Sequence, residues 1–155
     1  MSNNHTLVCT TWQQMNEAVK HVRDMIQENV DLRNFTGVYG EPRGGLILAV
    51  MLSHLTGLPL LLKPEMRMIW VDDIVDNGNT LRAAKEIYGD NAFYATWFCR
   101  ENGTVQPDVF FDTAFNGEWI VFPWEDIEKA EEDFNQYVEK RKLTALFSAS
   151  ANDSE

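Results

Sequence analysis

Three acids and a small polar turn stand together in Ile69-Trp70-Val71-Asp72-Asp73-Ile74-Val75-Asp76-Asn77-Gly78-Asn79-Thr80. If the apolar run is a strand, the turn lies at its carboxyl end, where open α/β sheets bind ligands. Residues 76–80 would bend tightly there, with Gly78 free to take positive φ. The backbone N–H groups of Asp76, Asn77, Gly78, Asn79 and Thr80, with the N-terminus of the next helix, would then face one phosphate. The Thr80 hydroxyl adds a donor. Asp72 and Asp73 carry the wrong charge for that ligand. Carboxylates suit the hydroxyls of a ribose, or Mg²⁺, which takes oxygen ligands. A monophosphate cup beside two carboxylates describes a ribose 5-phosphate site. Taken alone, the same residues also fit an acidic turn between strand and helix, or an acid cluster like that of a response regulator.

A second strand–turn–helix element is Val38-Tyr39-Gly40-Glu41-Pro42-Arg43-Gly44-Gly45. It lacks the glycine spacing of a P-loop or of a dinucleotide-binding fold. Its glycines still allow close backbone approach, and Arg43 offers a forked cationic donor to an anion. An ordinary helix-initiating turn fits equally well. Farther on, Phe98-Cys99-Arg100 ends a strand, and Glu118-Trp119-Ile120-Val121-Phe122-Pro123-Trp124-Glu125 follows after a polar loop. Trp119 or Phe122 could stack on a planar base, and Arg100 could donate to an exocyclic oxygen. Trp119 and Trp124 also read as core aromatics of an edge strand.

Together these motifs resemble the type I phosphoribosyltransferases. The acidic stretch matches their signature for 5-phosphoribosyl 1-pyrophosphate (PRPP), with Asn77 where Thr is usual and Asn79 where Gly is frequent. Glu41-Pro42-Arg43-Gly44 stands where the family binds pyrophosphate, although Pro42 removes one backbone donor there. The segment from Trp119 to Glu125 is similar to the base-recognition hood of bacterial xanthine–guanine members. The likeness runs from Thr11-Trp12 through Trp124-Glu125.

The resemblance implies transfer of the 5-phosphoribosyl group from PRPP to a 6-oxopurine, releasing pyrophosphate in purine salvage, with Mg²⁺ as cofactor. Asp73, with Asp72, would hold the ribose hydroxyls and the metal. Asp76 corresponds to the acid proposed to take the purine N7 proton, and residues 76–80 would bind the 5-phosphate. Glu41, Pro42, Arg43 and Gly44 would address pyrophosphate. Trp119 would pack on the purine, Ile120 would lend main-chain contacts, and Arg100 stands where a lysine recognises the 6-oxo group. Family members form dimers or tetramers, so a homodimer or homotetramer is expected.

The elements needed to position these groups are readable. Trp12 to Gln27 has apolar residues at helical spacing, in Met15, Val19, Val22 and Ile26. Strands are expected at Gly37–Tyr39, Pro59–Leu62, Ile69–Val71 and Phe93–Cys99, and again at Val109–Phe111 and Trp119–Phe122. Helices are expected at Leu46–His54, at Thr80–Tyr88 with Thr80 as cap, and at Asp126–Leu143. Strands alternating with helices predict a parallel α/β sheet, and the resemblance implies a single-domain fold with that Rossmann-like sheet flanked by helices and a small C-terminal hood. The expected organisation is core and hood over 1–125, an appended helix over 126–145, and a disordered tail over 146–155.

One departure stands out. Only Lys63 to Met68 joins two of the expected strands, where the resemblance leads one to expect an additional strand and a long mobile loop. Six residues span at most ~20 Å, too little for a lid. That favours a rival reading, a PRPP- or nucleotide-binding regulatory module without turnover. Transfer to a non-purine acceptor is a third.

Composition narrows the field. The net charge is −11, which argues against a nucleic-acid or anionic-membrane surface. Two distant cysteines, Cys9 and Cys99, suggest neither a disulfide framework nor a zinc site. No apolar run approaches the ~20 residues that span a bilayer, and the polar start shows no secretory leader. A cytoplasmic location is expected.

Overall fold

The computed structural model describes residues 5–152. In chain order the elements are β1 (Thr6–Cys9), α1 (Trp12–Asn29), β2 (Gly37–Gly40), α2 (Gly44–Thr56), β3 (Leu60–Leu61), β4 (Met68–Val75), α3 (Asn79–Tyr88), β5 (Phe93–Arg100), β6 (Val109–Ala114), β7 (Glu118–Val121) and α4 (Ile127–Asn152). They divide into two compact units, Gln13–Asn116 on one hand and Met1–Trp12 with Gly117–Glu155 on the other.

The larger unit is the α/β fold expected from the sequence. Its five strands run in the order β3-β2-β4-β5-β6, every pair parallel. At the centre, Met68, Ile69, Trp70 and Val71 are all buried, the pattern of a parallel strand covered on both faces. Trp70 joins Tyr94, Leu81 and Ala84 in one cluster, with Tyr39 and Tyr88 packed against it. That places α3 on this face of the sheet. Side chains alternate across a strand, so Gly40 and Val71 belong to the other face. There α2 packs so closely that a Cβ on Gly40 would lie 2.3 Å from the Gly45 carbonyl oxygen. The buried face of α1 is Met15, Ala18, Val19, Val22 and Ile26. His21 of α1 stacks on Phe111 of β6 at 4.6 Å.

The smaller unit pairs β1 with β7 in parallel, Thr6 opposite Glu118 and Cys9 opposite Val121. The Thr10 hydroxyl donates to the Val121 carbonyl at 2.8 Å. The Asp126 carboxylate starts α4 by accepting from the Lys129 N–H at 3.0 Å.

Several boundaries differ from the sequence reading. β4 continues through Asp72 and Asp73 to Val75, because its ladder with β5 pairs Asp72 with Thr96 and Val75 with Cys99. Gly78, not Thr80, is the N-cap of α3. β1 has no counterpart among the expected strands. α4 runs on to Asn152, past the expected helix end at Leu143 and through the described part of the expected tail. Leu143 to Asn152 contains neither Gly nor Pro to stop it. The short link remains short: residues 62–67 between β3 and β4 are all exposed. Among the described residues no helix is long and apolar enough to cross a membrane.

Candidate functional site

The phosphate turn forms where β4 stops. Gly78 takes φ +84, a conformation glycine adopts without strain. Its carbonyl accepts the first bond of α3, from the Arg82 N–H at 2.8 Å. Asp76 and Asn77 are exposed, as are Asn79 and Thr80 in the opening turn of the helix. The first N–H groups of a helix have no intrahelical acceptor and attract anions. One of them is engaged: the Asn79 N–H donates to Asn77 Oδ1 at 2.9 Å. No side chain fits at Gly78, since a Cβ there would come within 2.3 Å of Val105 Cγ1. Val105, from the loop between β5 and β6, therefore roofs the turn.

Asp72 and Asp73 lie just upstream, half-buried at the end of β4. The Asp73 N–H donates to Asp72 Oδ1, and the Ile74 N–H to Asp73 Oδ1, both at 2.8 Å. Burial pushes the Asp72 carboxyl well above the usual carboxylate range, and the neighbouring Asp73 charge pushes it the same way. Burial also raises Asp73, against hydrogen bonds from Asp72 and the Ile74 amide that favour its charged form. Two adjacent acids that resist ionising together would be relieved by a divalent cation. Among the described residues no three metal-ligating groups gather.

The sign of the Asp72 shift sets a stability prediction. Folded Asp72 keeps its proton where an unfolded aspartate, with pKa about 3.9, has lost it. The folded state therefore binds more protons, and stability falls as pH rises from acid toward alkaline. In metal-free buffer, Asp72→Asn should flatten that slope, with a greater gain in Tm over the parent at pH 8 than at pH 5. Equal gains at both values would refute the burial argument.

The second loop follows β2. The Glu41 N–H donates to the Val71 carbonyl at 2.8 Å, and its carboxylate accepts from the Trp70 indole N–H at 3.3 Å. Glu41 thus has no donor left for an anion. Pro42 and Arg43 are exposed and joined by a cis peptide. Arg43 is the N-cap of α2, and its guanidinium has no carboxylate partner among the described residues. Gly45 brings the start of α2 against β4: a Cβ there would sit 2.5 Å from the Val71 carbonyl oxygen and 3.3 Å from Asp72 Oδ1. A cleft of about 510 Å³ joins the two loops along α3, with Glu41 at one loop, Asn79 and Thr80 at the other, and Tyr39 and Trp70 between them.

Arg100 and Asp76 meet. Arg100 Nε donates to Asp76 Oδ1 at 2.9 Å, and its Nη1 donates to the Phe115 carbonyl at 2.8 Å. Trp119 and Ile120 belong to the smaller unit. There the Trp119 indole packs on Tyr137 and Phe134 of α4, with ring centres 5.0 and 6.4 Å away, and Ile120 is buried. Trp124 stacks on Phe122 at 5.0 Å.

A parallel sheet carrying two anion-suited loops at the carboxyl ends of neighbouring strands, with a pair of acids beside one of them, defines the type I phosphoribosyltransferase class. The chain is similar to that family, and in particular to its bacterial xanthine–guanine members. It is 25% identical to the xanthine-guanine phosphoribosyltransferase of Chromohalobacter salexigens over 143 residues, covering 78% of this chain and 85% of that enzyme. To the corresponding Ruegeria enzyme it is 38% identical over 55 residues, 36% of this chain and 31% of that enzyme. In structure it is similar to a purine phosphoribosyltransferase from Pyrococcus horikoshii, with TM-score 0.63, 27% identity, and coverage of 78% of this chain and 95% of that one. The fold is shared with the Helicobacter pylori xanthine-guanine-hypoxanthine enzyme at TM-score 0.68 and 19% identity, over 83% of this chain and 99% of that one. No protein-family model matches the chain.

Proposed function

We propose that the chain transfers the 5-phosphoribosyl group from PRPP to guanine, xanthine or hypoxanthine and releases pyrophosphate, as a purine-salvage enzyme of the cytoplasm acting as a homodimer or homotetramer. The observation that carries this reading is the turn at Gly78, set between the acids of β4 and the start of α3. It supplies what a ribose 5-phosphate needs, donors for the phosphate and carboxylates for sugar and metal.

In this reading residues 76–80 hold the 5-phosphate, while Arg43 and the first amides of α2 hold the pyrophosphate. Asp73, with Asp72 behind it, faces the ribose hydroxyls and Mg²⁺. When bound, the metal stabilises negative charge on the departing pyrophosphate. Asp76 accepts the proton from N7, and Arg100 donates to O6. Trp119 packs on the ring and Ile120 offers main-chain contacts. The 2.9 Å pairing of Asp76 with Arg100 puts an acceptor beside a donor. A 6-oxopurine protonated at N7 shows the complementary order along that edge, whereas the amino group of adenine sets donor against donor.

The exposed six-residue link favours a second reading, a binding protein that keeps the cup and has lost turnover, since closing lids exclude water and complete the charge clamp. One assay separates the two. The protein is incubated with PRPP, Mg²⁺ and each of guanine, xanthine, hypoxanthine and adenine, and nucleotide and pyrophosphate are followed. Turnover of at least one 6-oxopurine and none of adenine is expected. PRPP binding without product from any base would replace the first reading by the second.

A further inference from the structure

We infer that Arg82 is a positioning residue of the 5-phosphate cup, acting through Asn79 and Thr104; the inference rests on the ribose 5-phosphate part of the reading above. Arg82 Nη1 donates to Asn79 Oδ1 at 3.0 Å, and Nη2 donates to Thr104 Oγ1 at 3.0 Å. The guanidinium fork therefore bridges the first turn of α3 and the loop after β5. Val105, next to Thr104, is the residue that roofs Gly78, and Lys85 reinforces the same loop by donating to the Gln106 carbonyl at 2.8 Å.

Charge makes the placement unusual. The first turn of a helix is the positive end of its dipole and disfavours cations. This turn contains no acid, and Arg82 has no carboxylate partner among the described residues. A cation held there is uncompensated until an anion arrives. A phosphate monoester beside Gly78 provides the balance, because Arg82 Nη2 lies only 3.7 Å from where a Gly78 Cβ would be.

Hydrogen bonding gives the arrangement a direction. The Asn79 N–H is held by Asn77 Oδ1, so the cup has one backbone donor fewer. Arg82 occupies the oxygen of the Asn79 side chain, and what that amide then presents to a ligand is its NH₂ group, with two donors. Asn79 thereby replaces with its side chain the donor its backbone has given up, and Arg82 is what orients it.

The test uses ribose 5-phosphate binding, measured by calorimetry without base or metal, alongside PRPP kinetics. Arg82→Gln should weaken ribose 5-phosphate and raise the KM for PRPP by about tenfold, as expected for a lost charge-assisted bond. Its kcat should stay within about threefold, because the reacting atoms are not touched. Asn79→Ala should give a similar loss, and adding Arg82→Gln to it should cost little more, the non-additivity of groups in one network. Arg82→Lys, which keeps the charge without the fork, should recover part of the affinity.

Unchanged affinity in Arg82→Gln, or an Asn79→Ala variant that binds normally, overturns the inference. If Arg82→Gln fails to fold, Arg82→Lys and Asn79→Ala decide alone: normal binding in both overturns it. A parent protein that binds ribose 5-phosphate through Arg82 yet transfers nothing would defeat the transferase reading and leave this one standing.

Discussion

Replacing Asp76 by asparagine is expected to lower the turnover of a 6-oxopurine by about a hundredfold or more, the usual worth of a positioned general base, while PRPP binding changes little. The substitution keeps the side chain's shape. The amide that replaces the carboxylate can still offer an oxygen to the Arg100 Nε that now donates to Asp76 Oδ1 at 2.9 Å. What the variant loses is the capacity to take a proton. The cup depends on the backbone of residues 76–80 and on the start of α3, none of which the change removes. kcat should therefore fall with KM for PRPP nearly constant, and calorimetric PRPP affinity should match the parent. A kcat within about threefold of the parent would defeat the proton-accepting role. An equal loss of PRPP affinity would mean instead that the Asp76–Arg100 pair chiefly holds the loop in shape.

That ambiguity shows which parts of the site are legible in the sequence. The strand, acids, glycine turn and helix of residues 69–88 are contiguous, and each residue type has a local reason to be where it is. Their order can be read directly, apart from one detail: Asp72 and Asp73 look like loop residues, yet parallel pairing with β5 carries them inside the strand. Thr80 looks like the cap because its hydroxyl suits that position. Gly78 takes the role, since the chain has to turn back through positive φ two residues earlier. Contacts made by folding are not legible. Arg100 reaches Asp76 across 24 positions, and Arg82 reaches Thr104 across 22. A basic residue in the opening turn of a helix is the available clue to Arg82, because the helix dipole gives it no reason to be there. β1 is four residues long, and its partner β7 lies more than a hundred positions away. Nothing local marks such a strand. Likewise, α4 supplies the aromatic surface for Trp119, a partnership that spacing alone does not reveal.

Glycine packing behind the second loop leads to the other large effect. Gly45→Ala should destabilise the fold by about 1–3 kcal/mol, the usual cost of overpacking, and lower Tm by several degrees. The added methyl would lie 2.5 Å from the Val71 carbonyl oxygen and 3.1 Å from the Asp72 Cα, both backbone atoms of the central strand. β4 is paired with β2 on one side and β5 on the other, so it has no freedom to retreat. The start of α2 must lift instead. That movement pulls Arg43 and Gly44 away from the acids, and Asp72 Oδ1, 3.3 Å from the new methyl, is disturbed with them. KM for PRPP should consequently rise by about tenfold, the scale on which small misplacements of binding groups are felt. Gly103→Ala is the control. Its methyl would meet only the Arg100 and Val105 carbonyl oxygens, at 3.4 and 3.5 Å, which is ordinary contact. It should leave Tm and KM as they are. If Gly45→Ala matches that control in both measurements, the close approach of α2 to β4 does not fix the geometry of the second loop, and the assignment of pyrophosphate to Arg43 and Gly44 loses its structural basis.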